Sequence, residues 1–471
     1  MLIRNAEVWR IGYADVRLAG PRIAEVGRLT PRPGETVFDA HGGALLPGLH
    51  DHHIHLAALA AAQSSVRCGP PEVTTPEQFA AALDRPGSGW LRAVGYHESV
   101  AGLPDAKALD ALVPHRPLRV QHRSGRMWLL NSLALEHLLA RSAPPPGLER
   151  EGSRFIGRLF DEDAWLRDAL SSAPPDFAEV GAQLAEFGVT GLTDMSPAND
   201  TAIADHFARE HALGHLPQRC VLAGKLALEP ARGVAVGPVK LHLHEAALPD
   251  FDSAVALTRS AHDAGRALAV HCTTEIELVF TLAVIEAAGA MPGDRIEHAG
   301  IAPDSLVSEI ARLGLHVVSQ PHFITERGDR YLRDVPPADH ANLYRLAAFA
   351  RAGVLLAGGS DAPFGSADPW VAMRAAISRT TSDGAVIGVD EALDPEAALA
   401  LYLADPLDLG RERRIVPGGP ADLCLLSLPW IEARERLNSA DVRATWIAGS
   451  IVHDAVDQAP AQRDFGADPL A

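Results

Sequence analysis

The sequence predicts an α/β fold: a parallel eight-stranded (β/α)8 barrel of the TIM type with a small β-sandwich assembled from both chain ends. Three observations predict it. Apolar strand-like runs alternate with Ala- and Leu-rich helical stretches through the middle of the chain, the pattern of successive βα units. Both ends carry short β-like runs broken by turns. Side chains able to hold a cation recur at the ends of the central runs, where a parallel barrel gathers its chemistry.

In chain order, LIRNAEVW, ADVRLAG and RIAEVG lead up to Gly48, and ADLCLLSL and VRATWIAGSIVH lie near the other end. Residues 1–48 and 412–471 are therefore assigned to one small β-sandwich domain. Residues 49–411 form the barrel. Its eight runs are LLPGLHDHH, 189–195, 219–225, 238–243, 267–272, 294–299, 315–320 and 354–361. The stretch between the first two runs, about 60–185, is far too long for a βα loop. It is read as an insertion folding over the barrel mouth, with APPPGLE and SSAPPD as turns at its edges.

Composition narrows the function classes. Apolar residues at 47% and charged ones at 22% of 471 residues are ordinary for a soluble globular chain. A net charge of −18 without clustered Lys and Arg argues against nucleic acid as a partner. MLIRNAEVWR lacks the pattern of a signal peptide, and no apolar run reaches the roughly 18 residues of a membrane span. The expectation is a cytoplasmic protein with a small-molecule substrate and no membrane partner. Cys68, Cys220, Cys272 and Cys424 form no Cys-x-x-Cys pair, which suggests neither a disulfide framework nor a thiolate zinc site. Cys272 is read as packing.

PGLHDHHIHL, Pro47 to Leu56, sets His53 and His55 two apart on a strand. Alternate strand residues share a face, so both imidazoles can reach one ion. By the same alternation His50 and His52 face away and are given no role, while Asp51 is expected to brace the loop. Lys240 lies on the fourth run, His271 and His298 end the fifth and sixth, and Asp361 ends the eighth. A barrel brings these to one rim. Imidazole and carboxylate suit zinc or a related divalent ion. Lys240 cannot bind a cation as an ammonium; desolvated, it can lose its proton and take up carbon dioxide as a carbamate. The alternative is a structural lysine paired with Asp361 or a glutamate.

These motifs together resemble those of the amidohydrolase superfamily, in particular the amidohydrolase-3-like branch that includes N-substituted formamide deformylases. PGLHDHHIH resembles the family's opening motif, GPVKLHL its fourth-strand Lys, and AVHCTTE, RIEHAG and GGSDAP its fifth, sixth and eighth strands. RIVPGGPADLCLL resembles the return to the β domain. The resemblance implies one or two divalent ions, zinc foremost, with manganese and iron also compatible. His53 and His55 would hold one ion and His271 and His298 a second, with carboxylated Lys240 between them. Asp361 would ligate the first, take a proton from the attacking water and return it to the leaving nitrogen. The implied enzyme uses metal-bound hydroxide to cleave an amide-type C–N bond, other than a peptide bond, in a small organic molecule. A homodimer is also common in the family.

The chain departs from the branch in places. Arg126 stands where relatives often have histidine, and its guanidinium could bind a substrate carboxylate. LHLHEA follows Lys240 where the family tends to carry an Asp, which puts His242 and His244 on the Lys240 face. His97 and His322 are further candidates for substrate contact, whereas Trp90 and Trp128 read as packing. Opening of a cyclic imide or lactone would use the same centre. Heterocycle deamination is disfavoured, because Glu275 lies four residues after His271 rather than three. An inactive metal-binding protein is the non-enzymatic alternative.

Overall fold

The computed structural model describes residues 1–170 and 174–455. The described chain forms two compact units: Met1–Leu56 together with the residues from Asp176 onward, and Ala57–Pro175.

The barrel lies in the first unit. Its strands are β1 (Leu49–Ile54), β2 (Val189–Asp194), β3 (Arg219–Gly224), β4 (Val234–His242), β5 (Leu268–Cys272), β6 (Arg295–His298), β7 (His316–Ser319) and β8 (Leu356–Gly358). They pair in this order, all parallel. Every residue of β1 and β2 is buried, as strands covered on both faces must be. Past the end of β8 the chain returns to β1. The Asp361 amide donates to His53 O at 2.7 Å, and the His55 amide donates to Ala362 O at 2.9 Å. Gly359 makes this approach possible, since a Cβ there would stand 2.4 Å from the Cβ of His53. Outside the strands, Leu278, Leu282, Ile285, Ile310 and Phe349 pack against Val270, Ile296 and Val317. The helix Glu275–Ala288 starts with a capping box between Thr274 and Glu277.

The terminal strands also belong to this unit. Leu2–Val8, Gly12–Ala19, Arg22–Gly27, Val37–Asp39 and Ala44–Pro47 join Leu423–Leu426, Val442–Ile447 and Ser450–Asp454. Hydrogen bonds link all eight into one sheet, in which Ala44–Pro47 bridges the two chain ends. Ile3, Val16, Leu18, Leu425 and Trp446 form its core, with Phe38 edge-on to Trp446 at 5.0 Å. Residues 456–471, assigned to this domain from sequence, lie outside the described residues.

The second unit, Ala57–Pro175, is the insertion. The helix Ala178–Glu186, inside the stretch assigned to it from sequence, falls in the barrel unit instead. Val180, Leu184 and Ala185 are buried there. The insertion has a six-stranded sheet, in the order Leu148–Glu151, Arg154–Phe160, Met127–Leu130, Leu118–His122, Leu91–Tyr96, Val66–Arg67. Trp128 is buried among Leu130, Leu135 and Leu159, and Trp90 packs on the same cluster. Of the SSAPPD turn, residues 171–173 lie outside the described residues. No helix among the described residues is long and apolar enough to cross a membrane.

Candidate metal centre

His53 and His55 reach the C-terminal end of the barrel from β1 and the residue just past it. Their Nε2 atoms lie 3.3 Å and 3.1 Å from the same oxygen of Asp361. These three side chains offer ligand atoms within 4.8 Å of one another. Imidazole nitrogens and a carboxylate at a parallel barrel's C-terminal end match the donor preferences of zinc and related ions.

The other predicted ligands adjoin this group. The His298 ring centroid lies 4.9 Å from that of His53 and 4.5 Å from that of His271. Lys240 is 7% exposed, and its Nζ has no hydrogen-bond partner. Burial lowers its pKa to about 8. A buried ammonium without a partner is costly, so the pocket favours loss of the Lys240 proton and fits a lysine that gives it up on modification. The structure therefore brings Lys240, His53, His55, His271, His298 and Asp361 to one end of the barrel. The donor set and the orphaned amine both fit a bound divalent ion.

Two of these residues escape strand alternation. In the parallel register His242 stands beside His271, and His271 beside Glu297, so these three share one face. Alternation alone would turn His298 the other way. Its φ of 71° and that of 49° at Ala299 redirect the chain, and Asp361 has a φ of 52°. Left-handed backbone at non-glycine residues carries strain that clusters at functional sites.

Glu297 is the residue that sequence reading missed. Fully buried, it accepts from His53 Nδ1 at 2.5 Å and from Arg295 Nε at 2.6 Å. Burial pushes its carboxyl pKa up, but Arg295, Lys240 and His53 outweigh that and hold it well below the usual range. An ionised acceptor behind Nδ1 fixes that proton and turns the His53 Nε2 toward Asp361. The available signal was alternation in RIEHAG, which puts Arg295 and Glu297 on the barrel's inner face. Gln320 Oε1 accepts likewise from His298 Nδ1 at 2.7 Å, and His55 Nδ1 lies 3.0 Å from Ser196 Oγ. Asp194 holds both strand ends, accepting from the Leu56 and Ser196 amides at 2.7 and 2.9 Å.

Asp51 braces the loop as expected. One of its oxygens accepts from the His53 and Ser360 amides, each at 3.0 Å. His50 bonds Thr193 Oγ1 at 2.9 Å, with the His52 ring 4.6 Å away. His322 is fully buried and its Nε2 donates to Ser360 O at 3.0 Å, beneath the loop that carries Asp361. Burial lowers its pKa to about 4. His242 is exposed, with its ring 4.2 Å from His271 and 4.7 Å from His244. Glu275 is exposed at the start of its helix.

His97 and Arg126 belong to the insertion unit. Arg126 is largely exposed and holds Asp161 in a two-pronged ion pair, at 2.7 and 2.6 Å. His97 stacks on His122, which sequence reading did not single out, with ring centroids 5.8 Å apart.

The family model described as "Amidohydrolase family" matches residues 36–453. Among curated proteins, the chain is 26% identical to the N-substituted formamide deformylase of Arthrobacter pascens, over 96% of this chain and 98% of that protein. It is 23% identical to the putative amidohydrolase YtcJ of Bacillus subtilis (strain 168), over 90% and 91% of the two chains. Among solved structures, a metal-dependent hydrolase from Pyrococcus horikoshii OT3 superposes with a TM-score of 0.77 at 19% identity, covering 92% of this chain and 99% of that one. At that identity the likeness shows the fold. With the family model matching nearly its whole length, the chain belongs to the amidohydrolase family.

Proposed function

We propose that this protein is a metal-dependent hydrolase that cleaves an amide-type C–N bond, other than a peptide bond, in a small organic molecule. The observation that carries the reading is the convergence of His53 Nε2 and His55 Nε2 on one Asp361 oxygen beside the unpartnered Lys240 Nζ. The formamide deformylase named among the relatives supports the bond type. His53, His55 and Asp361 would hold one divalent ion, zinc foremost. His271 and His298 would hold a second, with Lys240 between them as a carbamate formed when its amine adds to carbon dioxide and releases a proton. Such an ion supplies polarisation of the scissile carbonyl and lowers the pKa of bound water to about 7.

The chain's own residues carry the remaining roles. Burial raises the Asp361 pKa, but donation from His53 and His55 outweighs it and holds the carboxyl well below its ordinary value. Asp361 is thus ionised at neutral pH and able to take a proton from the attacking water. It then passes that proton to the leaving nitrogen, so the amine departs neutral. Glu297 and Gln320 keep His53 and His298 oriented throughout.

A panel of N-formyl and N-acetyl amines, assayed by amine release, tests this reading. Wild-type protein is expected to release amine from at least one of them, and an Asp361→Asn variant with an unchanged circular dichroism spectrum to release none. Undiminished release by the variant would remove Asp361 from its role.

A further inference from the structure

The insertion unit contains a second group of two histidines and a carboxylate: His97, Glu98 and His122, with ligand atoms within 4.8 Å of one another. By spacing alone it resembles a cation site. Its hydrogen bonds argue otherwise. His97 Nδ1 accepts from the Ser99 amide at 3.1 Å, and His122 Nδ1 accepts from the Ser124 amide at 3.2 Å. A backbone N–H can only donate, so each Nδ1 presents a lone pair and each neutral ring carries its proton on Nε2. Ligation through Nε2 would require moving that proton to Nδ1, where it would face another N–H. His122 Nε2 instead donates to one oxygen of Glu98 at 2.8 Å, and His97 Nε2 stands 3.5 Å from that oxygen without a hydrogen bond to it.

The two rings are set by the fold. His122 ends the strand Leu118–His122 and His97 follows Leu91–Tyr96; the strands are parallel, with Tyr96 opposite His122. The imidazoles stack with 25° between their planes. Ser99 Oγ and Ser124 Oγ, at 2.7 and 2.8 Å from the two Nδ1 atoms, pin the rings further. The Glu98 side chain, by contrast, is 53% exposed and sits on a helix of only four residues. Donors fixed by the fold therefore face a solvent-exposed acceptor.

We infer that His97 and His122 form a carboxylate-binding clamp, in which the Glu98 carboxylate occupies the place of a ligand carboxylate. A small monocarboxylate that displaces Glu98 would satisfy the same Nε2–H pair. Glu98, tethered beside the pair, competes with it and sets the threshold for binding. This inference is independent of the hydrolytic reading of the barrel.

The test is long-range 1H–15N NMR on histidine-labelled full-length protein, with His97 and His122 assigned by substitution and acetate and Zn2+ as probes. Both rings are expected in the Nε2–H form in metal-free wild-type protein, and Zn2+ is expected to leave both unshifted. In Glu98→Ala, acetate should shift both Nε2 signals saturably, at a concentration at least about tenfold below that needed in wild type, as expected when a charge-assisted competitor is removed. Adding His122→Leu, which removes the second donor, should abolish the response at His97. An Nδ1–H ring, a Zn2+ shift at either histidine, or no acetate shift in Glu98→Ala would each overturn the clamp.

Discussion

The barrel mouth and the insertion unit each bring two histidines and a carboxylate within 4.8 Å, yet the bond behind each ring prepares them for opposite chemistry. In the barrel, oxygens able to accept stand behind the Nδ1 atoms of His53, His55 and neighbouring His298: the Glu297 carboxylate, Ser196 Oγ and the Gln320 amide. Those nitrogens keep their protons, and Nε2 is left to a cation. In the insertion, backbone amides stand behind the Nδ1 atoms of His97 and His122. There Nε2 holds the proton and points it at an anion. Residue type and spacing are shared, and the tautomer separates the two. Burial adds to the contrast: His53 is 1% exposed, whereas the Glu98 side chain is half exposed.

The largest effects should come from removing a donor in the barrel. His53→Ala or His55→Ala is expected to lose bound metal and with it all hydrolytic turnover, read by elemental analysis and amine release. Retention of metal by both variants would break the comparison. Next comes the residue behind the ring. Glu297→Gln keeps an acceptor for His53 Nδ1 but removes the charge, and should weaken metal affinity about 10–100-fold, as such outer partners typically do. An unchanged affinity would mean that the tautomer argument has no energetic weight.

The pH dependence sharpens the same point. Burial and Lys240 lower the pKa of His53, but the carboxylates of Glu297 and Asp361 outweigh them and raise it above 6.5. A proton on Nε2 must leave before an ion binds, so affinity should fall as pH drops below that raised value, by about tenfold per unit for one proton. In metal-free protein the sign reverses. The raised pKa stabilises the fold at low pH, and that contribution is lost as pH rises through it. Calorimetric titration at several pH values, with unfolding curves of the stripped protein, reads both. A metal affinity indifferent to pH between 5 and 8 would contradict the protonated His53.

Sequence made one part of this legible and hid another. His53 and His55 stand out because a spacing of two on a strand fixes a shared face. His298 and Asp361 are legible from their places at the ends of the sixth and eighth runs rather than from alternation, which left-handed backbone at both positions breaks. Glu297 was visible in RIEHAG but was overlooked beside the histidine that follows it. Alternation into β6 would have found it. The β-like runs at the two ends were readable as strands, but not the bond pattern that joins them through Ala44–Pro47 into a single sheet. The tautomers of His97 and His122 were beyond sequence altogether, because they depend on turns that return the Ser99 and Ser124 amides to the rings.

The smallest expected effect is also the most discriminating. Divalent metal bound per chain should be measured by plasma mass spectrometry after zinc reconstitution and desalting, for wild type, His97→Gln/His122→Gln and His53→Gln/His55→Gln. The account predicts the same metal content in wild type and the insertion variant, and loss in the barrel variant. Loss of an ion from the insertion variant, or none from the barrel variant, would contradict it.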